Sequence, residues 1–240
     1  EIHVNLDEAT DIEIDEAISV LQEEKLARIK DKLRNIEIEP KDGICFRGIP
    51  WYASRADAEQ ILGVVSNTGE SSQLSRIDKI GKNIYTNAVY IEGQVGSEAS
   101  YEYLTVAGYT PSSTKICYLY PIIDGVIVRD LSLAQIYMGY YEFSKLGDAS
   151  ILFNDLKIKL DNLYGDGSSS ADDNTKTCVW MDDDKNVVRL SEQWGTYVSL
   201  AYMAADANAR LDEMASAISA EKAAAEQMHT IENQGNVDGL

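Results

Sequence analysis

Catalysis by a nucleophile and a base usually needs an imidazole beside a serine or cysteine, and this chain holds two histidines, His3 and His229, both close to its ends. A Ser-His-Asp or Cys-His arrangement inside a fold is therefore not expected, and a zinc site with histidine ligands fails on the same ground. No Gly-x-Gly-x-x-Gly or Gly-x4-Gly-Lys-Ser/Thr loop is present, so nucleotide phosphates have no cradle.

Carboxylates are the remaining reactive groups, and two of them at a set separation can hydrolyse a glycosidic bond. The densest clusters, Asp172-Asp173 and Asp182-Asp183-Asp184, fall in expected turns, where aspartates serve solvation and local backbone hydrogen bonds. Asp182, Asp184 and Asn186 have the one-three-five spacing of a calcium loop. Val187, however, stands where that loop needs Gly, and Gln193 where it needs Glu, so a turn between two strands is the expected structure. No catalytic residue, metal ligand or cofactor is assigned.

Fourteen tyrosines against three phenylalanines is a skew toward side chains with an apolar body and a polar tip, which suit wet binding surfaces. Tyr101 and Tyr103 alternate onto one strand face, and Tyr118 and Tyr120 onto another; these four are the candidate binding surface. Tyr137, Tyr140 and Tyr141 cluster in the next strand-like segment. The same spacing fits rings at the margin of a core beneath helices, so both readings stay open.

The elements that must position these residues follow from hydrophobic period. Thr10 and Glu13 have the spacing of a capping box, and apolar residues from Ile14 to Leu33 recur at helical intervals, predicting a helix over Asp11 to Asn35. Ile44 to Ile49 reads as a short strand. Ser54 with Asp57 starts a second helix that buries Ala58, Ile61 and Leu62 and ends at Gly63. Period-two segments follow at Tyr85 to Glu92, Tyr101 to Val106, Lys115 to Pro121, Val126 to Arg129 and Ala134 to Phe143, with a hairpin at Asp124-Gly125.

Leu152, Leu156, Leu160 and Leu163 mark a helix over Ser150 to Tyr164, closed by Gly165. A polar loop is expected over Gly165 to Thr175. A second meander comprises Lys176 to Met181, Val187 to Ser191 and Thr196 to Met203. An alanine-rich helix from Asp206 to Met228 closes the chain, fraying past His229. The expected class is α+β, two helix-plus-antiparallel-meander units with flanking helices. The expected segments are 1–43, 44–147, 148–204 and 205–240.

The formal net charge is −19, with no segment supplying a basic face, so a nucleic-acid partner is not expected. No apolar run long enough for a membrane span occurs. Cys45, Cys117 and Cys178 are too few and too scattered for a disulfide framework and read as buried thiols, with one disulfide plus a spare as the alternative.

Phe46-Arg47-Gly48-Ile49-Pro50-Trp51, a short helix, and Leu156 to Gly165 before a Trp-containing meander together resemble a pattern found in uncharacterised secreted and lipoprotein-like proteins of Gram-positive gut bacteria. Those carry Phe-x-x-Ile-x-Trp-Gly-x-Ser, then Leu-x-x-x-Leu-x-x-x-Tyr-Gly. The match covers roughly Ile44 to Met203 and departs at Tyr52, which stands where the pattern has Gly. The helix-plus-meander unit, occurring twice, is similar in architecture to the small outer-membrane-assembly lipoproteins and to β-lactamase inhibitor protein. The resemblance implies an extracellular or cell-envelope location and leaves room for a lipid anchor upstream of Glu1. The reading it favours is a non-catalytic interaction module with a protein partner. The alternatives are a carboxylate-dependent, carbohydrate-active enzyme and a calcium or small-ligand binding module.

Overall fold

A computed structural model describes residues 17–21, 23–25, 27–28, 43–63, 67–71, 73–77, 86–90, 96–101, 104–144 and 146–235. The chain divides into two compact units, Glu1–Ile38 and Glu39–Leu240. In the first, residues 17–21, 23–25 and 27–28 are helical, inside the expected helix; the Thr10–Glu13 capping box lies outside the described residues.

The second unit is α+β. Its centre is one antiparallel sheet of eight strands in the order β1-β4-β5-β8-β12-β11-β10-β9. These are β1 (Asn67–Ser71), β4 (Gly96–Tyr101), β5 (Ser113–Leu119), β8 (Gln135–Phe143), β9 (Ser168–Ala171), β10 (Thr175–Met181), β11 (Val187–Gln193) and β12 (Tyr197–Met203). Two small hairpins stand apart from the sheet, β2 (Gln73–Ile77) with β3 (Thr86–Tyr90) and β6 (Ile122–Ile123) with β7 (Val126–Ile127). The two meanders expected from sequence are joined edge to edge where β8 pairs with β12, so 44–147 and 148–204 share one sheet.

Among the described residues three α-helices belong to this unit: α1 (Arg55–Leu62), α2 (Ala149–Tyr164) and α3 (Ala207–Gly235). Ser54 caps α1 by accepting the Asp57 amide at 3.2 Å, and Gly63 ends it at φ 66°. Ala58 is buried as expected, whereas Ile61 is exposed and Arg55 is buried in its place. Asp148 caps α2, which buries Leu152, Phe153, Leu156 and Leu160. Leu163 stays exposed. It lies on the same stripe, three residues beyond Leu160, but in the last turn of the helix, which ends at Tyr164.

Side chains sort onto two faces by register. Tyr101, Thr114, Tyr141, Leu200, Leu190 and Cys178 lie opposite one another across successive strands, and all six are buried. This is the face that receives α2, since Trp180 Nε1 donates to Asp161 Oδ1 at 3.1 Å and Ser150 Oγ donates to Glu192 at 3.1 Å. Val198, Leu200 and Tyr202 alternate onto it as the sequence predicts.

Several expectations are corrected. Ile44 to Ile49 is a tight turn closed by a Phe46–Ile49 bridge, because Arg47 (φ 56°) and Gly48 (φ 76°) reverse the chain. Tyr101 ends a strand rather than starting one; Gly96 to Ser100 lack the bulky alternation that marks strands in sequence. The loop expected at Gly165 to Thr175 contains β9, whose serines have low strand propensity and are held by their ladder to β10. Helix α3 continues past His229 to Gly235.

Tyr52 adopts φ 66°, a left-handed conformation on a residue with a side chain. Its ring lies 3.7 Å from the Arg210 guanidinium and its hydroxyl donates to Asp206. Both partners sit at the start of α3, so contacts to that helix offset the backbone strain.

Candidate functional site

Among the described residues, the candidate tyrosines do not form an exposed face. Tyr101 (4% exposed), Tyr118 (0%) and Tyr120 (4%) are buried, and Tyr103 lies outside the described residues. The hydroxyls of Tyr101 and Tyr118 are 2.7 Å apart, and burial, then Tyr101, pushes the Tyr118 phenol far above its ordinary range. The tyrosine skew is explained locally by hydroxyls that find partners inside the unit: Tyr140 donates to Glu98 (3.0 Å), Tyr197 to Glu142 (2.8 Å) and Tyr109 to Asp155 (2.9 Å).

The second sheet face carries the polar side chains. Lys115 Nζ is 3.1 Å from Glu98, Arg189 Nε donates to Ser191 Oγ at 3.0 Å, and Ser191 lies 3.3 Å from Thr177 Oγ1. This side is not bare: Cys117, Tyr137, Met138, Arg189 and Ser191 are all buried. Burial pushes Arg189 down to about 10. It also drives the Cys117 thiol far above its usual range, which leaves that sulfur without nucleophilic character. Cys45 is raised by burial too.

In the two acidic clusters, Asp182 and Asp172 are taken up by local hydrogen bonds. Asp182 Oδ1 accepts the Asn186 amide (2.8 Å), and Oδ2 accepts the Ile44 amide (2.8 Å) and Asn186 Nδ2 (3.1 Å). It therefore clamps the β10–β11 hairpin to the segment leading to α1, and its lone pairs do not converge on a cation. Asp172 Oδ1 accepts the amides of Asn174 (2.9 Å) and Thr175 (2.8 Å). Among the described residues no group of three or more His, Cys, Asp or Glu could hold a metal ion.

One cluster has the residue types of a serine-lysine pair. Lys176 Nζ donates to Ser150 Oγ (3.1 Å) and to Glu192 Oε2 (2.9 Å), with Glu192 buried. A serine is activated by a group that accepts its proton; here Lys176 donates to both partners, and the cluster is a half-buried ion pair.

Trp194 is different in kind. It is 69% exposed at the tip of the β11–β12 hairpin. Trp194 (φ 50°) and Gly195 (φ 66°) are both left-handed, and the Thr196 amide donates to Gln193 O at 3.2 Å, the pattern of a type I′ turn. Arg47-Gly48, Ala107-Gly108 and Asp124-Gly125 repeat it. For a bulky side chain this conformation is strained. The tip is held by its neighbours: Trp194 N donates to Asn174 O (2.8 Å), Leu146 N to Thr196 O (3.1 Å) and Ala149 N to Gly195 O (3.1 Å).

No family model, curated protein or solved structure matches the chain. Trp194 was legible as a Trp-Gly pair between two strand-like segments, outside the alternation of both. No helix among the described residues is long and apolar enough to cross a membrane.

Proposed function

We propose that the chain is a non-catalytic protein-interaction module, secreted or held at the cell envelope, that engages its partner through the Trp194 hairpin tip. The observation that carries this reading is a tryptophan kept exposed, on strained backbone, at a tip bonded to two other segments. An exposed indole adds little burial energy to folding, and its left-handed backbone costs some, so a compensating use is expected. Tryptophan is the side chain most often dominant in interfaces, and a pre-ordered tip loses little entropy on binding.

The carboxylate-dependent enzyme draws less support. A general acid needs its carboxyl raised. Asp155 and Asp161 are instead held below their usual range, first by hydrogen bonds from Lys159 and Lys157, and Asp206 is held low against burial by Tyr52 and Arg210.

The test is capture from cell-envelope extracts by the immobilised chain, wild type against Trp194→Ala. A dominant contact of about 2 kcal/mol corresponds to roughly 30-fold weaker capture of the specific binder. Equal capture by both proteins would remove Trp194 from the interface and with it the reading.

A further inference from the structure

Among the described residues, strand β9 is the last strand on one side of the eight-stranded sheet and pairs only with β10. All four of its residues, Ser168–Ala171, are exposed. Edges of this kind are usually guarded by lysine, proline or a bulge. From Gly165 to Asn174 there is no lysine and no proline, and the β9–β10 register runs without a shift.

The edge is also firm underneath. Ser169 Oγ donates to Cys178 Sγ at 3.3 Å, and the Gly167 amide donates to Asp161 Oδ1 at 3.2 Å. A Cβ at Gly167 would come within 2.6 Å of both Cys178 Sγ and the Trp180 ring, so the chain entering β9 lies directly on the core.

We propose that the outer edge of β9 is a docking site for an extended, basic segment of a partner protein, which adds to the sheet as a further strand. Addition of a strand to a preformed edge draws its affinity from main-chain hydrogen bonds. Charge selects the occupant. Asp166 precedes the strand and Asp172 and Asp173 follow it, all exposed. In the register that pairs the whole of β9 with β9 of a second copy, Ser169 faces Ser170 and Asp166 faces Asp173, twice over. Like charges directly opposite one another are destabilising, so the strand is guarded against its own kind and open to a segment with lysine or arginine at both ends. The Trp194 amide bonds to Asn174 in the turn that follows β9, so that turn and the β11–β12 turn meet at one end of the sheet. The site rests on the interaction-module reading and names the partner's chemistry.

The experiment uses the full chain and a capped Lys-Thr-Val-Thr-Val-Thr-Val-Lys peptide, followed by amide hydrogen exchange. At a tenfold excess over Kd, exchange of the outward amides in Ser168–Ala171 slows by about tenfold. A peptide of the same charge with alternate N-methyl groups gives no slowing. Asp166→Asn with Asp173→Asn weakens the lysine peptide about fivefold. Unchanged exchange, equal binding of the N-methyl peptide, or equal binding of a version with glutamate ends would each overturn the site. So would protection of β9 that grows with protein concentration alone, which would mark self-pairing. These outcomes judge the β9 edge only; the interaction-module reading stands or falls separately on capture by Trp194→Ala.

Discussion

Phe46 packs directly on the backbone at Gly139: a Cβ at position 139 would lie 2.4 Å from the ring. Phe46 is fully buried, with the rings of Tyr141 and Tyr202 at 5.1 and 5.8 Å. The missing side chain in β8 is thus what lets the turn before α1 seat on the sheet. Gly139→Ala should cost about 1–3 kcal/mol by overpacking, and Phe46→Ala about 3–5 kcal/mol. In the double variant the alanine at 139 should add little, since the atoms it strikes are gone. Urea denaturation of the four proteins checks this; strict additivity would show that the contact is not the cause.

Stability and binding should move in opposite directions at Trp194. Asparagine tolerates the left-handed region, so Trp194→Asn should stabilise the unit by about 1 kcal/mol while abolishing the specific capture. A melting temperature that falls would mean the indole supports the fold, and the functional interpretation of the strain would fail.

Asp182 joins segments 138 residues apart through its bond to the Ile44 amide. Asp182→Ala leaves the Ile44 and Asn186 amides without their carboxylate acceptor and should cost about 2–3 kcal/mol. Because those oxygens already hold three donors, millimolar calcium or a chelator should leave the melting temperature of the wild-type chain unchanged. A rise with calcium would contradict the assignment of this segment as a plain hairpin turn.

Burial raises the phenols of Tyr118, Tyr137 and Tyr202 above their ordinary range. In the unfolded chain they ionise near pH 10. Folded, they keep their protons. Their contribution to stability is therefore full below about pH 10 and is lost as pH climbs from there toward the folded values. Part of the tyrosinate absorbance should appear only together with the loss of structure in an alkaline titration. Ionisation of all fourteen tyrosines before unfolding would show these rings to be open to solvent.

The local signals were readable and the distant ones were not. Ser54, Gly63 and Asp124-Gly125 each act through neighbours in sequence, and each sits where its spacing predicts. The rule that finds the Asp124-Gly125 turn also covers Arg47-Gly48, Ala107-Gly108 and Trp194-Gly195, yet the side chains there are not usual turn formers. Tyr101 and Tyr118 alternate identically whether their face is wet or covered, and only the hydroxyl partner across the strand pair decides. The serines of β9 carry no strand signal at all. Trp194 could be located as a turn residue from sequence, but its exposure depends on Asn174, Leu146 and Ala149, which chain order does not place beside it.

The joint between β8 and β12 has a consequence for how the chain is made. Strand β8 spans nine residues at the middle of the sheet, yet its partner on one side begins only at Tyr197. A growing chain has β5 available for one edge of β8 long before β12 emerges to cover the other. Until then β8 presents bare backbone flanked by Met138, Tyr140 and Tyr141, with Glu142 its only charged side chain. A chain cut short before Tyr197 would keep the first meander and its helix but expose this strand to any other copy. The second meander is, in that sense, the cover that keeps the first from aggregating.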